Sequence, residues 1–486
     1  MTRFFISAAI KSSGKTTVSI GLAAAIAARG LKIQTFKKGP DYIDPMWLAR
    51  ASGRASYNLD FNTQSSDEIL ALYGRAYGDA GVALIEGNKG LHDGVDPRGG
   101  DSSAALAKLL RAPVVLVIDT TGMARGIAPL LLGYRKFDPD VEFAGVILNK
   151  VGAARQESKL RQAIENYTDL PVLGAIGRDN ALNIDERHLG LTTPAETGQC
   201  GALIARARDA VLSGVDLDAL LASAARPEAR GAPQLRALST PDVVLAVARD
   251  AAFGFYYSDD LEALEKAGAR LAFFDALHDR DLPPCDGLLI GGGFPETQME
   301  ALSANVSLRE NIRAAIEGGL PTYAECGGMM YLTRAISFRG ERHEMVGVIP
   351  ADSVMGERPQ GRGLVRVEET PDFPWPGESG AAAVPAHEFH YARLENVAPD
   401  LRYAWRVKRG YGIDGERDGI VIGNLLAGFT HQRDTARHRW TDRFVSFVRM
   451  RKEQQINSSL PEDSGAAQTR VGPCVTRNSS RMRSAS

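Results

Sequence analysis

The chain has 486 residues, enough for about three domains of ordinary size. Its 57 Lys+Arg nearly balance 59 Asp+Glu, a net charge of −2, which argues against a surface built throughout to grip nucleic acid or anionic membrane. Hydrophobic residues at 44% and charged residues at 24% suit a globular chain with large cores, and four cysteines without paired spacing exclude a disulfide scaffold or a CxxC metal site.

The first residues, Met1-Thr2-Arg3-Phe4-Phe5-Ile6, run straight into a strand-like segment without a signal-peptide pattern. The longest apolar stretch, residues 20–31, is broken by Arg29, so no bilayer span is expected. A soluble cytoplasmic protein is therefore expected, with no nucleic-acid or membrane partner. Strands are predicted at residues 3–9, 32–37, 82–86, 113–119, 143–149 and 171–176, with helices between them at 15–29, 102–110 and 155–165. Continuous apolar strands alternating with helices imply a parallel sheet covered on both faces. Residues 1–195 form this first unit, and residues 196–240, rich in Ala, Arg and Pro, read as a helical linker. A second α/β unit spans 241–451, with strands at 243–248, 270–274, 287–290 and 321–324 and helices at 260–267 and 308–317. Residues 452–486 are serine-rich with scattered arginines, too polar to offset chain entropy, and are expected to be disordered.

The first strand runs into Ser7-Ala8-Ala9-Ile10-Lys11-Ser12-Ser13-Gly14-Lys15-Thr16-Thr17 and then a helix. That context makes Ser12, Ser13, Gly14, Lys15, Thr16 and Thr17 a phosphate loop: amides and a helix N-terminus face phosphate, Lys15 reaches the terminal phosphates and Thr16 ligates Mg²⁺. Ala9 stands where the first glycine of the usual motif belongs. Glu86 and Asp119 end strands, and Asp41 and Asp44 follow one, on the side where open parallel sheets hold ligands. Thr16, Asp44 and Glu86 are taken as the Mg²⁺ ligands. Asn149-Lys150 ends another strand and is a candidate contact for a purine base.

In the second unit, Pro321-Thr322-Tyr323-Ala324-Glu325-Cys326-Gly327-Gly328 reads as strand, sharp turn, helix. A nucleophile elbow crowds the positions two before and two after the nucleophile, and Ala324 and Gly328 are small there. Cys326 is thus the candidate nucleophile. The triple glycine after residue 290 lets amides approach an oxyanion, so Gly292, Gly293 and Gly327 are its candidate cradle. The base is one of His387, His390 and His431; spacing alone does not choose among them.

Together, the Ser-Ser-Gly-Lys-Thr-Thr loop, Lys38-Gly39-Pro40-Asp41-Tyr42-Ile43-Asp44-Pro45, Glu86-Gly87, Gly90-Leu91-His92-Asp93-Gly94, the Cys326 elbow and His387-Glu388-Phe389-His390-Tyr391 resemble the cobyrinic acid a,c-diamide synthase family. The resemblance covers about residues 3–445. It implies two doubly wound, mainly parallel α/β domains, a dethiobiotin-synthetase-like ATPase followed by a class I glutamine amidotransferase. It further implies ATP, Mg²⁺, L-glutamine and a tetrapyrrole carboxylic acid as reactants, an acyl phosphate intermediate, and a homodimer as one assembly. His431 becomes the preferred base, and Tyr42, Ile43 and Glu86 match substrate-handling positions. Many such domains carry Glu two residues after the His; here Arg433 stands there, leaving the third member of the Cys-His site unassigned. Alternatives are a relative acting on sirohydrochlorin or siroheme, a cobyric acid synthase, and a partitioning ATPase. The last would need a lysine where Ile10 stands and leaves the elbow domain unexplained.

Overall fold

The computed structural model describes residues 2–187, 190–225, 240–377 and 383–459. The N-terminal unit is built from β1 (Thr2–Ala8), α1 (Lys15–Ala28), β2 (Ile33–Lys38), α2 (Ile43–Ser52), β3 (Tyr57–Leu59), α3 (Ser66–Tyr77), β4 (Val82–Glu86), α4 (Ser103–Leu110), β5 (Val114–Asp119), α5 (Ile127–Phe137), β6 (Phe143–Val151), α6 (Ala154–Tyr167) and β7 (Val172–Gly177). The seven strands form one sheet in the order β3-β2-β4-β1-β5-β6-β7. Every pairing in it is parallel. In β1, Phe4 and Ile6 join the core on one face and Phe5 the core on the other, all fully buried. Each such side chain contributes roughly 1.5–3 kcal/mol. Strand order reverses beside β1, so the loop after β1 opens at the crevice where ligands of such sheets bind.

Two further helices, α7 (Cys200–Gly214) and α8 (Leu217–Ser223), occupy the segment expected to be a helical linker. They are packed rather than free. A Cβ on Gly21 of α1 would lie 2.4 Å from the Ala207 carbonyl oxygen of α7, and Ala207, Val211, Leu217 and Leu220 belong to the core of the first sheet. The rest of that linker, 226–239, lies outside the described residues.

The second unit carries a nine-stranded sheet. Ala269–Phe274, Val243–Ala248, Gly287–Ile290, Thr322–Glu325 and Leu425–Gly428 run parallel, in that order. Arg417–Ile422, Arg402–Arg409, Gly361–Glu369 and Val384–His390 extend the sheet antiparallel. Thus only the half that carries the elbow is parallel. The closing helix, Trp440–Ser459, buries Trp440, Phe444, Val445, Phe447 and Val448 and runs past residue 451, where disorder was expected to begin. Residues 460–486 of the expected tail lie outside the described residues. Among the described residues, no helix is long and apolar enough to cross a membrane.

The two units meet along β3, α3 and the loop after β2. Tyr57 and Arg75 both donate to Glu262; Ser258 Oγ donates to the Ser56 carbonyl at 2.9 Å and Asn62 Nδ2 to the Ala386 carbonyl at 3.0 Å.

Candidate active site

Between β1 and α1 the backbone turns through left-handed conformations at Ser12 (φ +62°) and Gly14 (φ +83°). Gly14 is required twice over: for its φ, and because a Cβ would lie 2.3 Å from Asn149 Nδ2. That amide donates to the Ser13 carbonyl at 2.9 Å, and Ser13 Oγ donates to the Ile10 carbonyl at 2.8 Å. Asn149 therefore braces the loop. It also lines a cavity of about 240 Å³ with Gly14, Thr17, Lys150 and Arg178. At Ala9, the close approach is made by its neighbour: a Cβ on Gly90 would sit 2.7 Å from the Ala9 carbonyl oxygen. Lys15 Nζ donates to the Lys89 carbonyl at 2.6 Å; burial first, then Lys37, lower its pKa to about 8.

Thr16, Asp44 and Glu86 are brought together. Thr16 Oγ1 donates to Glu86 Oε1 at 2.8 Å and to Asp44 Oδ2 at 3.2 Å. The Lys37 ammonium, unremarked in the sequence, reaches the same two oxygens, Glu86 Oε1 at 2.9 Å and Asp44 Oδ2 in closer contact. Glu86 and Lys37 are 0% and 3% exposed, so each charge depends on its partner. Burial drives the Lys37 pKa down, but Asp44 and Glu86 more than reverse it, and the ammonium stays charged. Burial, then Asp44, push Asp41 up to about 7. Glu86 Oε2 is buried without a hydrogen-bond partner. A hard cation suits this oxygen set, which already holds one positive group and has a spare carboxylate oxygen. Among the described residues, no three His, Cys, Asp or Glu could hold a metal alone. Mg²⁺ usually takes one or two carboxylates and completes its shell with water and phosphate, so the residues fit it. Asp119 is not in this group; it accepts from Lys150 at 2.8 Å.

Ile43 opens α2 with its side chain in the core, and its N–H donates to Asp41 Oδ1 at 3.0 Å. The Tyr42 side chain points the other way, into the second unit. It stacks on Phe255 (centroids 5.2 Å, 5°) and lies 4.6 Å from Tyr257, 5.5 Å from His387 and 5.3 Å from His431.

Cys326 lies at the junction of the strand Thr322–Glu325 and the helix Gly327–Leu332, with φ +46° and its N–H donating to the Gly428 carbonyl at 2.7 Å. This strained turn is the elbow, and its crowding is real: a Cβ on Gly328 would lie 2.1 Å from the Ile290 carbonyl oxygen. A Cβ on Gly327 would lie 3.0 Å from Gly293 N, and one on Gly292 would lie 2.6 Å from His431 Cε1. The three glycines thus lie against one another and, through Gly292, against the His431 imidazole.

Of the three histidines, His431 is the one whose charge is coupled to the Cys326 thiol. Its Nδ1 lies 3.3 Å from Glu325 Oε2, the residue immediately before the cysteine. Burial pulls the His431 pKa down, but Cys326 and Glu325 outweigh it and lift it to about 10. Glu325 is held by Tyr323 Oη (2.6 Å) and the Gln432 N–H (3.0 Å), both donating to Oε1. Asp418 accepts from the N–H groups of Phe429 (3.0 Å) and Thr430 (2.8 Å), fixing the approach to His431. His387 stacks on His431 (centroids 4.7 Å, 13°), and the two exchange backbone hydrogen bonds. His390 is turned away, stacked on Phe429 at 3.8 Å with Nδ1 2.8 Å from the Ala392 carbonyl. Arg433 does not face Cys326: it donates to Asp259 at 2.7 Å and to the Asn58 carbonyl of the other unit at 3.0 Å.

Glu325 and Lys37 are what the sequence reading missed. The signal for Glu325 was a lone carboxylate in an otherwise apolar strand, directly before a nucleophile candidate.

Two family models match. Residues 6–191 match the CobQ/CobB/MinD/ParA nucleotide binding domain, and residues 244–436 match the CobB/CobQ-like glutamine amidotransferase domain. Among curated relatives, the cobyrinate a,c-diamide synthase of Magnetococcus marinus is 43% identical over 92% of this chain and 97% of its own. Those of Picrophilus torridus (40% identical; 90% of this chain, 97% of its own) and Methanosarcina acetivorans (39%; 89% and 93%) match similarly.

Proposed function

The chain belongs to the cobyrinate a,c-diamide synthase family, and from that premise we propose that it converts the a and c side-chain carboxylates of cobyrinate or hydrogenobyrinate to amides. It is a glutamine-dependent amidating ligase. One observation carries the division of labour: a single chain holds a phosphate loop facing an oxygen cluster and, in its other unit, a strained cysteine turn whose preceding carboxylate, Glu325, pairs with His431.

In the glutamine half-reaction, Cys326 Sγ attacks the side-chain amide carbon as the thiolate, its proton already held on His431. The imidazolium delivers that proton to the departing ammonia, while Glu325 fixes the imidazole and supports its charge. Amides around Gly292, Gly293 and Gly327 cradle the oxyanion. Water then hydrolyses the thioester to glutamate. In the second half-reaction the substrate carboxylate takes the γ-phosphoryl group of ATP. Lys15 and the amides at Ser12, Ser13, Gly14 and Thr17 hold the phosphates, and Thr16, Asp44 and Glu86 would hold Mg²⁺, which supplies charge neutralisation on the phosphoryl oxygens. Ammonia displaces phosphate from the acyl phosphate and leaves the amide. The acceptor carboxylate lies beside Glu86 and the loop that carries Tyr42 and Ile43, met there by the loop's Asp41 and Asp44 ends, since the Tyr42 and Ile43 side chains face the second unit and the core. Each amide uses one ATP and one glutamine. A cytoplasmic setting accompanies this reading, since both co-substrates are supplied there.

Two variants separate the half-reactions. Cys326→Ala should abolish glutamine-dependent amidation and keep amidation with added ammonium. Lys15→Ala should lose amidation with either nitrogen source and keep glutamine hydrolysis. A folded Cys326→Ala enzyme that still uses glutamine would refute the assignment, as would normal ammonium-dependent amidation by Lys15→Ala.

A further inference from the structure

The segment around His431 is gripped by the other unit at two points, and both grips lead to one loop. The first is Tyr42. It sits between Asp41 and Asp44, yet its ring is 8% exposed and wedged among Phe255, Tyr257, His387 and His431 of the second unit. The second is Arg433, two residues beyond His431. Its guanidinium lies over the Tyr257 ring at 4.0 Å and donates to the Asn58 carbonyl. The Asn58 side chain in turn donates to the carbonyls of Gly39 (2.8 Å) and Asp41 (2.6 Å). The loop 39–44 is therefore tied by its backbone to one flank of the His431 segment and packed by its side chain against the imidazole itself. Its other end, Asp44, belongs to the oxygen cluster with Thr16 and Lys37.

We propose that Tyr42 is a positioning residue of the glutamine half-reaction, supplied by the nucleotide-binding unit, and that through it the loop 39–44 sets the orientation of His431. The inference rests on the reading of Cys326 and His431 given above. The imidazole is fixed on one edge by Glu325 and on its face by His387, whose backbone is bonded to that of His431; Tyr42 packs against it from the nucleotide-binding unit, centroids 5.3 Å apart at 45°. A flat ring at that distance leaves the imidazole one orientation. Without it, the ring is free to tilt off the line to Sγ. A rearrangement of the loop on the nucleotide side then reaches His431 with no intermediate but one side chain.

The test is glutamine hydrolysis with no nucleotide and no tetrapyrrole present, where a residue acting only on those ligands has no effect. Tyr42→Ala should lower kcat roughly tenfold or more with KM changed less than about twofold, since small misplacements of reacting groups are costly. Tyr42→Phe, which keeps the ring, should restore the rate to within about twofold by the same reasoning. Should Tyr42→Ala lose its fold, Tyr42→Leu, which fills most of the space without a flat ring, serves for the same comparison. Wild-type hydrolysis by the folded Ala or Leu variant overturns the proposal, as does equal loss in Tyr42→Phe. Cys326→Ala, run alongside, keeps the two readings apart: if it still hydrolyses glutamine, the nucleophile assignment fails; if it is inactive while Tyr42→Ala is normal, only the positioning role fails.

Discussion

Glu325 and His431 show how little separates an inert imidazole from a poised one. A buried histidine ordinarily loses its proton, as His438 does here, where burial and then Arg443 bring it to about 4. His431 is equally buried, yet Cys326 and Glu325 hold it charged to about pH 10. Charge on the imidazole is what lets it protonate the departing ammonia, so glutamine hydrolysis should fall on the alkaline side as His431 loses its proton. Glu325→Gln removes one of the two groups that raise this pKa. The alkaline limb of the kcat/KM profile should therefore move to lower pH, and the plateau should drop. An unchanged profile in that variant would show that Glu325 does not support the imidazolium. Residues of this kind divide sharply by legibility. Lys15, Thr16 and Cys326 were readable because their chemistry comes with local spacing and a strand–turn–helix context. His431 needed a family resemblance, since three histidines in two motifs offered no local reason to choose. Tyr42 was marked by its motif, but its packing on Phe255 and His431 comes from far along the chain, as does the contact of Lys37 with Glu86.

Among the elements, the elbow couples backbone strain to function. The turn at Cys326 exists because Gly328 lets the following helix lie against the strand Gly287–Ile290. Gly328→Ala puts a methyl group 2.1 Å from a main-chain oxygen, which cannot move away as a flexible side chain would. The expected cost is about 1–3 kcal/mol, with glutamine hydrolysis lost disproportionately and ammonium-dependent amidation retained. Unaltered hydrolysis and an unaltered Tm would refute the crowding argument. Most parallel strands of both sheets were legible to within a residue or two, but the short Tyr57–Leu59 and Leu425–Gly428 were given no bounds, three or four residues being too few to stand out as apolar runs. The antiparallel half of the second sheet was not legible: Gly361–Glu369 and Arg402–Arg409 are half exposed, charged and only weakly alternating, so composition hides them. The helices α2, α3 and α5 lie between predicted strands, as the alternation requires, but no bounds were assigned to them. In α2, Pro45 stands in the first turn, where a proline is tolerated but reads in sequence as a break.

For the whole molecule, the two units are joined where the loop after β2 reaches from the nucleotide side to the imidazole. Proximity of this kind also suits the transfer of ammonia, which must stay away from bulk water to remain unprotonated. The closing helix Trp440–Ser459 fastens the second unit, with five large apolar or aromatic side chains buried. A chain ending at Ser459 should keep both half-reactions within about threefold, the outcome expected from the serine-rich composition beyond it. A sharp rise in KM for the tetrapyrrole in that truncated chain, with glutamine kinetics unchanged, would instead make residues 460–486 part of substrate binding.

The most direct measurement is mass spectrometry of the products formed from a panel of tetrapyrrole acids, including cobyrinate, hydrogenobyrinate and sirohydrochlorin, with ATP and amide-¹⁵N-glutamine. Cobyrinate or hydrogenobyrinate should gain two amides, both carrying ¹⁵N, with one ADP and one glutamate formed per amide. Diamidation of sirohydrochlorin alone, or two amides on a corrin without label from glutamine, would contradict the proposed reaction.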